Sequence, residues 1–509
     1  MKRRVERLRG MHDLLPEAYQ RQHWLIEHLG NFLTRAGYPQ VDTPILELSD
    51  LFHASFRQEL WQNLYAFRLH HRDLCLRPEF TASICRFYLD HYQQQPLPQR
   101  FQYAGPIFRY ESPGRGRYRQ HTHLGVELFG GHPALADTEL LQLACDVLRE
   151  LHIPHYRLEL GHIGVASGFI NRLHLDDQAA HLLLSLMEQI SRSEDGERIA
   201  QARLEALYPP IETTDTTGET REIGGSGING TATVEAHYIT SLLGGISIAF
   251  GDEEARHEVV ERFLWKMGRS EQRRQILYAL DFLKALHAVA GSPPDVFVAL
   301  RDLLDRYNLD HTPLRELQQL VTVIEQGGVP GEQIVLNLSL GRGVSYYTGL
   351  VFEIHAQDAD GFDMQLCGGG RYDHLIRAVG GTRDLNACGF AFGVERLLSL
   401  LPESKLPAAT TTQALVVPVS ADDFAYALQV ARAARALGVP TEVDISGHGV
   451  GAGLRLASRR QIRLAMIVGE NERLQGIVTI RDLTAGEEHT LPLSDLAKLV
   501  GDLEKEQCL

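Results

Sequence analysis

The sequence lacks any run of apolar residues long enough to cross a membrane. A spanning helix needs roughly 18 or more consecutive apolar residues, and no segment of the 509-residue chain reaches that length. The first ten residues, MKRRVERLRG, are not followed by the apolar core of a secretory signal. We therefore expect a cytoplasmic protein with no signal peptide and no membrane partner.

Cysteine is scarce, and its spacing argues against two kinds of site. The six cysteines are Cys75, Cys85, Cys145, Cys367, Cys388 and Cys508. They form no C-x-x-C pair, and none lies beside a histidine at metal-ligand spacing. This usage is typical of buried thiols in a reducing compartment. We expect neither disulfides nor a metal centre.

Excess positive charge is also missing. The formal net charge is -15, which argues modestly against an obligate nucleic-acid-binding protein, although a basic face can lie on an acidic protein. With 44% hydrophobic and 23% charged residues, the chain can bury a large core. At roughly 100–200 residues per domain, its length predicts two to four domains.

The first half of the chain reads as short β runs joined by short connections. Such runs favour an antiparallel sheet, for which we expect six or seven strands with flanking helices. We assign this core to residues 1–160 and 331–401. Residues 161–330 have a mainly helical pattern and a Thr/Gly-rich loop at 211–234, typical of an insertion.

The C-terminal part has a different pattern. Residues 402–412 (PESKLPAATTT) have the composition of a linker. In residues 413–509, β and helical segments alternate, which predicts a small α/β domain with a mostly parallel sheet. The predicted fold class for the whole chain is therefore α+β.

The densest polar cluster is FRYESPGRGRYRQHTHLGVE, residues 108–127. Arg109 and Glu111 flank one tyrosine, so on a strand both side chains point to the same face. A planar guanidinium suits a phosphate, because it donates two parallel hydrogen bonds. A nearby carboxylate suits an amino group. By itself, the pattern slightly favours a hairpin with a charged tip over a binding site.

Four further segments carry polar residues near glycine or proline, and each alone is a weak signal. These segments are LRPEFT (76–81), GRGVSYYTGLVFE (341–353), CGGGRYD (367–373) and GFAFGVERLL (389–398).

In this order, the segments resemble the histidyl-tRNA synthetase family. Thr43-Pro44 is similar to motif 1, which builds the dimer interface of class II synthetases. FRYE…GRYRQ is similar to motif 2, and GFAFGVERL to motif 3. GRGVSYYTG and CGGGRYD resemble the two histidine signatures of the family. The resemblance implies a class II synthetase core followed by an anticodon-binding-like domain, and a homodimer.

The resemblance also implies roles for individual residues. Arg109 would bind the α-phosphate of ATP, Glu111 the adenine amino group and Arg396 the γ-phosphate. Arg342 would be the catalytic arginine if the chain is a ligase. The residues that would contact histidine are Glu79, Thr81, Arg109, His123, Glu127, Arg342, Tyr346 and Tyr347.

The same core is also similar to the regulatory subunit of ATP phosphoribosyltransferase, which binds histidine without aminoacylation. Motif 2 departs from the synthetase pattern at Ser112-Pro113-Gly114 and at His121 and His123, where synthetases show phenylalanine and glutamine. Val344-Ser345 replaces leucine-aspartate before the tyrosine pair.

Two further features point the same way. Phe80 stands where synthetases usually have a small or flexible residue, and LELGHIG (158–164) resembles the regulatory subunit. These departures predict a regulatory subunit that binds histidine and a catalytic ATP phosphoribosyltransferase subunit in the first step of histidine biosynthesis, without a tightly bound cofactor.

The alternative is a histidine–tRNA ligase that uses ATP and Mg²⁺ and binds tRNA-His. The candidate ATP residues all survive, and the C-terminal domain resembles an anticodon-binding domain, which regulatory subunits usually lack. Acidic residues outnumber basic ones from 412 to 509, however. Only Arg455, Arg459, Arg460 and Arg463 cluster there, as either a basic stripe or a solvated face.

Overall fold

The structure is a computed structural model that describes residues 5–53, 63–173, 175, 177–192, 195–207, 272–340, 346–407 and 412–497. The chain divides into two compact units, one of Met1–Asp13 and Trp24–Glu403 and the other of Leu14–His23 and Ser404–Leu509. The predicted loop at 211–234 lies outside the described residues. Within the described ranges, no helix is long and apolar enough to span a bilayer.

The first unit contains two sheets. Its strands are β1 (Leu46–Leu48), β2 (Ala66–Leu69), β3 (Arg72–Leu76), β4 (Gln99–Phe108), β5 (Gln120–Phe129), β6 (Arg157–His162), β7 (Ala290–Gly291), β8 (Ile334–Asn337), β9 (Leu350–Gln357), β10 (Asp363–Arg371) and β11 (Ala387–Gly393). The larger sheet has the order β4-β5-β11-β10-β9-β6-β8-β7, and the smaller one the order β1-β3-β2.

The larger sheet is antiparallel at every described pairing except β6–β8. It has eight described strands, and the two-residue β7 accounts for the excess over the predicted six or seven. The connection between β4 and β5 is short and permits only antiparallel pairing, whereas a parallel pair needs a crossover. The predicted mainly antiparallel α+β core is thus confirmed.

Helices flank this sheet. In the described part of residues 1–403 the helices are α1 (Pro16–Arg35), α2 (Asp50–His53), α3 (Thr81–His91), α4 (Pro133–Glu150), α5 (Ile163–Arg172), α6 (Asp177–Arg192), α7 (Gly196–Leu207), α8 (272–287), α9 (Pro293–Arg306), α10 (Thr312–Gln326), α11 (Leu375–Ala378) and α12 (Val394–Leu400). Proline at the first position of α4 suits a helix start, because its missing N–H has no partner there anyway.

The two faces of the larger sheet differ in chemistry. On the back face, Leu124, Val126 and Leu128 of β5 pair across with Phe392, Phe390 and Cys388 of β11, and all six are buried. Helix α4 packs on β10 and β11, and α10 packs on α4. The front face carries the alternate residues, among them Glu127 and Gly389. The apolar core therefore lies behind the sheet and leaves the front face for polar groups.

The second unit has a five-stranded sheet of order β13-β12-β14-β15-β16. Its elements are β12 (Ala414–Pro418), α13 (Phe424–Ala436), β13 (Thr441–Val443), α14 (Val450–Arg459), β14 (Leu464–Val468), α15 (Glu470–Gln475), β15 (Ile477–Asp482) and β16 (Glu488–Pro492). Strand β12 pairs in parallel with β13 and β14, but β14–β15 and β15–β16 are antiparallel.

The expectation of a mostly parallel C-terminal sheet is therefore only half right. Strand β16 follows β15 after a short turn at 483–487, which is too short for the crossover that a parallel strand needs. The sequence reading missed β16 because its segment, EHTLP, is largely exposed and lacks an apolar alternation. The other predicted domain limits stay predictions.

Candidate active site

On the front face of the larger sheet, glycines lie directly beside the polar side chains. Gly389 of β11 pairs directly with Glu127 of β5 on one side and with Gly370 of β10 on the other. A Cβ at Gly389 would collide with the Glu127 carboxylate, and one at Gly370 would lie 2.8 Å from the Tyr347 ring. The two glycines thus let the side chains of Glu127 and Tyr347 lie against the sheet.

Glu127 is the buried centre of this face. Its side chain accepts hydrogen bonds from the hydroxyls of Tyr103, at 3.2 Å, and Tyr372, and Thr81 also contributes a hydrogen bond. Only 1% of the residue is exposed. Three hydroxyl groups from β4, from the end of β10 and from the start of α3 therefore fix the carboxylate in one orientation.

Burial raises the pKa of Glu127 to about 8, and the nearby Glu79 carboxylate acts in the same direction. The hydrogen bonds from Tyr372, Thr81 and Tyr103 oppose this shift. An approaching cation would favour the ionised carboxylate and lower its pKa again. Glu127 is thus placed to change its protonation state when a positively charged group binds.

Glu79 brings a second carboxylate to the same place. It is buried, and its Oε2 accepts a hydrogen bond from the hydroxyl of Tyr346 at 2.9 Å. The Tyr346 ring lies 4.9 Å from that of Tyr347 and 5.6 Å from that of Tyr372. Buried carboxylates are stable only when paired or hydrogen-bonded, so two of them beside an aromatic wall suit a small cationic ligand.

Phe80 supports this cluster by packing against Tyr103. It is buried, its ring stacks on that of Tyr103 at 4.3 Å between centroids, and the Arg77 guanidinium lies 3.8 Å from the Phe80 centroid. Arg77 also donates to the carbonyls of Pro106 and Thr43. Phe80 therefore packs behind Tyr103 and holds a hydrogen-bond donor of Glu127 in place.

A second cluster consists of arginines around the β4–β5 loop, residues 109–119. The backbone N–H of Arg109 donates to the Arg119 carbonyl at 2.9 Å, and its Nε donates to the Pro78 carbonyl at 2.9 Å. In the described part of the chain, the two Nη groups of Arg109 have no hydrogen-bond partner. The loop thus presents a fixed guanidinium with its outer N–H groups available.

Arg396, in the first turn of α12, faces the same loop. It donates to the carbonyls of Gly116 at 3.0 Å and Gln365 at 2.5 Å. Burial lowers the pKa of Arg396, and the positive charges of Arg117 and Arg109 lower it further. Three mutually repelling guanidinium groups favour an anion with several negative oxygens, such as a polyphosphate.

His121 lies beside these arginines as a neutral ring. Burial, together with the charges of Arg109 and Arg396, lowers the pKa of His121 to about 3. Its Nδ1 lies 3.2 Å from the Tyr118 carbonyl oxygen, which assigns the proton to Nδ1 and leaves Nε2 as an acceptor. The His123 ring lies 5.2 Å away in an edge-to-face arrangement, on the same face of β5.

The back face of β10 supports the cluster from behind. Arg371, next to Tyr372 in the chain, forms a two-pronged ion pair with Asp137 of α4, at 2.7 and 3.0 Å, and also binds Asp373 at 2.9 Å. A cavity of about 230 Å³ lies beside these residues. Because Arg371 is already paired with both Asp137 and Asp373, it is not available to an anionic substrate, and the cavity is a weaker candidate than the front face.

The structure brings most of the predicted site residues into two clusters. Glu79, Thr81, Glu127, Tyr346 and Tyr347 form the carboxylate cluster. The arginine cluster contains Arg109 and Arg396, and Glu111 and Glu395 lie close enough to raise the pKa of Arg396. His123 lies on β5 between Glu127 and His121. Arg342 lies outside the described residues. The roles assigned to these residues stay predictions.

Four residues of the clusters were not among the predicted site residues: Tyr103, Tyr372, Arg117 and His121. Tyr103 lies two residues before a glycine in a β run. Tyr372 lies two residues after Gly370, which is the spacing that puts both on one face of a strand. That periodicity was the available signal, but only the pairing of β5 with β4, and of β11 with both β5 and β10, brings both tyrosines to Glu127.

Known proteins resemble this chain over nearly its whole length. The histidine–tRNA ligases of Methanococcus vannielii and Pyrococcus horikoshii are each 28% identical to it, over 96% and 98% of this chain and 98% and 100% of theirs. The crystal structure of apo S. aureus histidyl-tRNA synthetase has the same fold, with a TM-score of 0.60 and 21% identity over 97% of this chain and 99% of that one.

The prediction of a phosphoribosyltransferase regulatory subunit is therefore wrong, together with its catalytic partner and its place in histidine biosynthesis. The curated relatives that align over nearly the full length are histidine–tRNA ligases. Two of the departures have a place in the clusters. Phe80 stacks on Tyr103, and His121 is a neutral ring beside Arg109 and Arg396.

Family models account for both units. The model described as anticodon binding domain matches residues 413–503. The model described as histidyl-tRNA synthetase matches residues 10–211 and 246–397, well over half of the sequence. The chain belongs to the histidyl-tRNA synthetase family.

Proposed function

We propose that this chain is a histidine–tRNA ligase, which activates histidine with ATP and transfers it to tRNA-His. The observation that carries the proposal is the location of a buried, hydrogen-bonded carboxylate pair and an arginine cluster on one face of one sheet. The full-length similarity to histidine–tRNA ligases supports it. The two clusters offer complementary sites for a cationic amino acid and for a polyphosphate.

In this proposal, the carboxylate cluster binds histidine. The substrate carries an ammonium group and an imidazole with N–H donors, and both match carboxylate and phenol oxygens. Glu79 and Thr81 would bind the ammonium group, and Glu127 would bind the imidazole. Because Tyr103 and Tyr372 hold Glu127 in place, it would select a donor at a fixed distance and reject apolar side chains of similar size.

The arginine cluster would bind ATP, which enters as its magnesium complex. Arg109 would contact the α-phosphate, Arg396 the γ-phosphate and Glu111 the adenine amino group. The histidine carboxylate oxygen attacks the α-phosphorus, the bond to the β-phosphate oxygen breaks, and pyrophosphate leaves. The arginines stabilise the negative charge in the transition state. Arg342 is proposed to take part in this step.

In the second step, a ribose hydroxyl of tRNA attacks the carbonyl carbon of the adenylate and releases AMP and a proton. We propose that the second unit binds the anticodon arm. Arg460 and Arg463 are paired with Glu442 and Asp482. Arg455 and Arg459, one turn apart on α14, are exposed to solvent and available to phosphates.

The proposed enzyme is a homodimer, because one face of the smaller sheet is apolar and exposed. The register places six apolar residues on this face, which we call the apolar sheet face: Leu46, Leu48, Phe67, Leu69, Leu74 and Leu76. Leu48 is 54% exposed and Leu69 is 49% exposed. Contiguous apolar surface of this kind marks an interface. It also lies close in sequence to Thr43-Pro44, the proposed motif 1.

Leu48→Asp is expected to convert the dimer into a monomer, because it places a charge on the apolar sheet face, beside Leu74 of the central strand. Light scattering after size exclusion should give twice the 57.0 kDa chain mass for the unmodified protein and the single mass for the variant. Val298→Asp is the matched control, since Val298 is 58% exposed on α9. A dimer that survives Leu48→Asp would place the interface elsewhere.

The proposed function is tested first by histidine-dependent exchange of labelled pyrophosphate into ATP, then by charging of tRNA-His. The purified chain should catalyse both reactions. Exchange without charging would identify an amino-acid-activating enzyme that does not act on tRNA. Histidine binding in calorimetry without exchange would refute the ligase proposal.

A further inference from the structure

We propose that the N-terminal segment, residues 8–12, is a working part of the nucleotide site that positions the β4–β5 loop through Arg119. This inference rests on the proposed function, since it assigns Arg109 and Glu111 to ATP. None of the residues of the N-terminal segment was among the candidate site residues.

Arg119 joins the segment to the loop. Its backbone N–H donates to the Gly10 carbonyl at 2.9 Å, and its Nη1 donates to the Arg9 carbonyl at 3.2 Å. On the other side, its Nε donates to the Glu111 carbonyl at 3.0 Å, and its guanidinium lies 3.9 Å from the Tyr110 ring centroid. Arg119 thus binds two N-terminal carbonyls, Gly10 through its backbone and Arg9 through its side chain, and the same side chain also binds the backbone of Glu111.

Tyr118 and Arg119, at the end of the loop, accept hydrogen bonds from residues of the arginine cluster. The Arg119 carbonyl accepts the N–H of Arg109, and the Tyr118 carbonyl accepts Nδ1–H of His121. The His12 ring packs edge-on against Tyr118 at 4.7 Å. The N-terminal segment therefore contacts both residues whose carbonyls orient Arg109 and His121, although it contacts neither of those side chains itself.

Gly10 makes this contact sterically possible. Its φ of +83° is in the left-handed region, and a Cβ there would lie 2.8 Å from both Cγ and Cδ of Arg119 and 3.1 Å from Cγ of Pro113. Any side chain at this position must push Arg119 away from Glu111. The contact is therefore sensitive to a single methyl group.

The test is Gly10→Ala in the full-length chain, with ATP and histidine varied separately in the exchange reaction. We expect the KM for ATP to rise about tenfold or more, in line with the loss of a hydrogen bond from a charged group. The KM for histidine should change less than about twofold. A purely structural defect would shift both constants and lower the melting temperature.

Gly37→Ala is the matched control. Gly37 has a φ of +86°, so alanine suffers the same backbone strain, but its Cβ would meet nothing within 4 Å. Its KM values should match those of the unmodified protein. Arg119→Lys, which keeps the charge but loses the guanidinium fork, should raise the KM for ATP as Gly10→Ala does. Equal KM values for ATP in Gly10→Ala and Gly37→Ala would overturn the proposal.

The two proposals fail differently. If the unmodified chain catalyses no exchange, the ligase proposal fails, and the positioning role is then decided by ATP-induced stabilisation against heat. Gly10→Ala should weaken that stabilisation while Gly37→Ala does not. A chain that ATP does not stabilise at all would refute both proposals.

Discussion

Replacing Glu127 by glutamine is expected to lower kcat/KM for histidine in pyrophosphate exchange by about a hundredfold or more. Tyr103 and Tyr372 fix the Glu127 carboxylate in one orientation. In the proposed complex this carboxylate accepts the imidazole N–H, and a carboxamide in its place cannot carry the negative charge. Removing one partner of a buried, charge-assisted contact costs about 2–5 kcal/mol, which corresponds to factors of roughly 30 to several thousand. The KM for ATP should change little, because the arginine cluster is unaltered.

The control for this prediction is Glu159→Gln. Glu159 lies on β6 and pairs with Arg157 at 2.8 Å, so its loss removes a carboxylate from the same sheet without touching the cluster. The variant should retain the activity of the unmodified chain. If Glu127→Gln kept its kcat/KM for histidine, the imidazole would bind elsewhere.

Glu127→Gln should also change the dependence of stability on pH. The pKa of Glu127 is raised from 4.5 to about 8, so between these values the folded protein holds a proton that the unfolded chain has released. This contribution is fully present below pH 4.5 and is lost as the pH rises to about 8. Glutamine does not titrate. The melting temperature of the variant relative to the unmodified protein should therefore rise from pH 5 to pH 8, and a constant difference would contradict the raised pKa.

Arg396→Ala is expected to give the second large effect, a loss of about a hundredfold or more in exchange rate. Donors that meet negative charge developing in the transition state contribute about this much in rate, and in the proposed step Arg396 meets the charge on the departing pyrophosphate. ATP should no longer stabilise the variant against heat. In the absence of ATP, the variant should lose little stability. Arg396→Ala removes two hydrogen bonds, but it also removes the repulsion of Arg396 by Arg109 and Arg117.

Arg377→Ala is the control for Arg396. Arg377 is 60% exposed and pairs with Asp384, so its removal should leave exchange unchanged. Arg396→Lys should be intermediate, because it keeps the charge and loses the fork that reaches the Gly116 and Gln365 carbonyls. An Arg396→Ala variant that ATP still stabilises would remove Arg396 from the nucleotide site.

The fold of the first unit was predictable because its signals are local. Short β runs on either side of GRGRYRQ predict a hairpin, and β4 and β5 form one. The prediction that Arg109 and Glu111 share one face of a strand is wrong, because β4 ends at Phe108 and both residues lie in the β4–β5 loop. The antiparallel part of the C-terminal sheet was missed, since β16 is exposed and carries no apolar alternation. The mainly helical pattern of residues 161–330 was likewise visible in the sequence, and most of the described residues in that range lie in helices α5 to α10.

The partners of Glu127 could not be predicted, because they depend on the register of strands far apart in the sequence. Tyr372 follows Glu127 by 245 positions, and only the β5–β11–β10 pairing joins them. The same limit explains the wrong preference for a regulatory subunit. Spacing shows that Phe80 and His121 differ from a family pattern, but it does not reveal that Phe80 packs against Tyr103 or that nearby arginines keep His121 neutral.

The neighbouring residues Arg371 and Tyr372, at the end of β10, make contacts on opposite faces of the sheet. Arg371 ties the back of the sheet to Asp137 of α4, and Tyr372 fixes Glu127 at the front. If Glu127 selects the substrate as proposed, substitution of Asp137 is expected to weaken that selection through Arg371 and Tyr372, although Asp137 lies behind the sheet. In a random-mutagenesis screen, losses of amino-acid discrimination should map to the inner side of α4 as well as to the pocket, so a map of such losses would outline a larger area than the ligand covers.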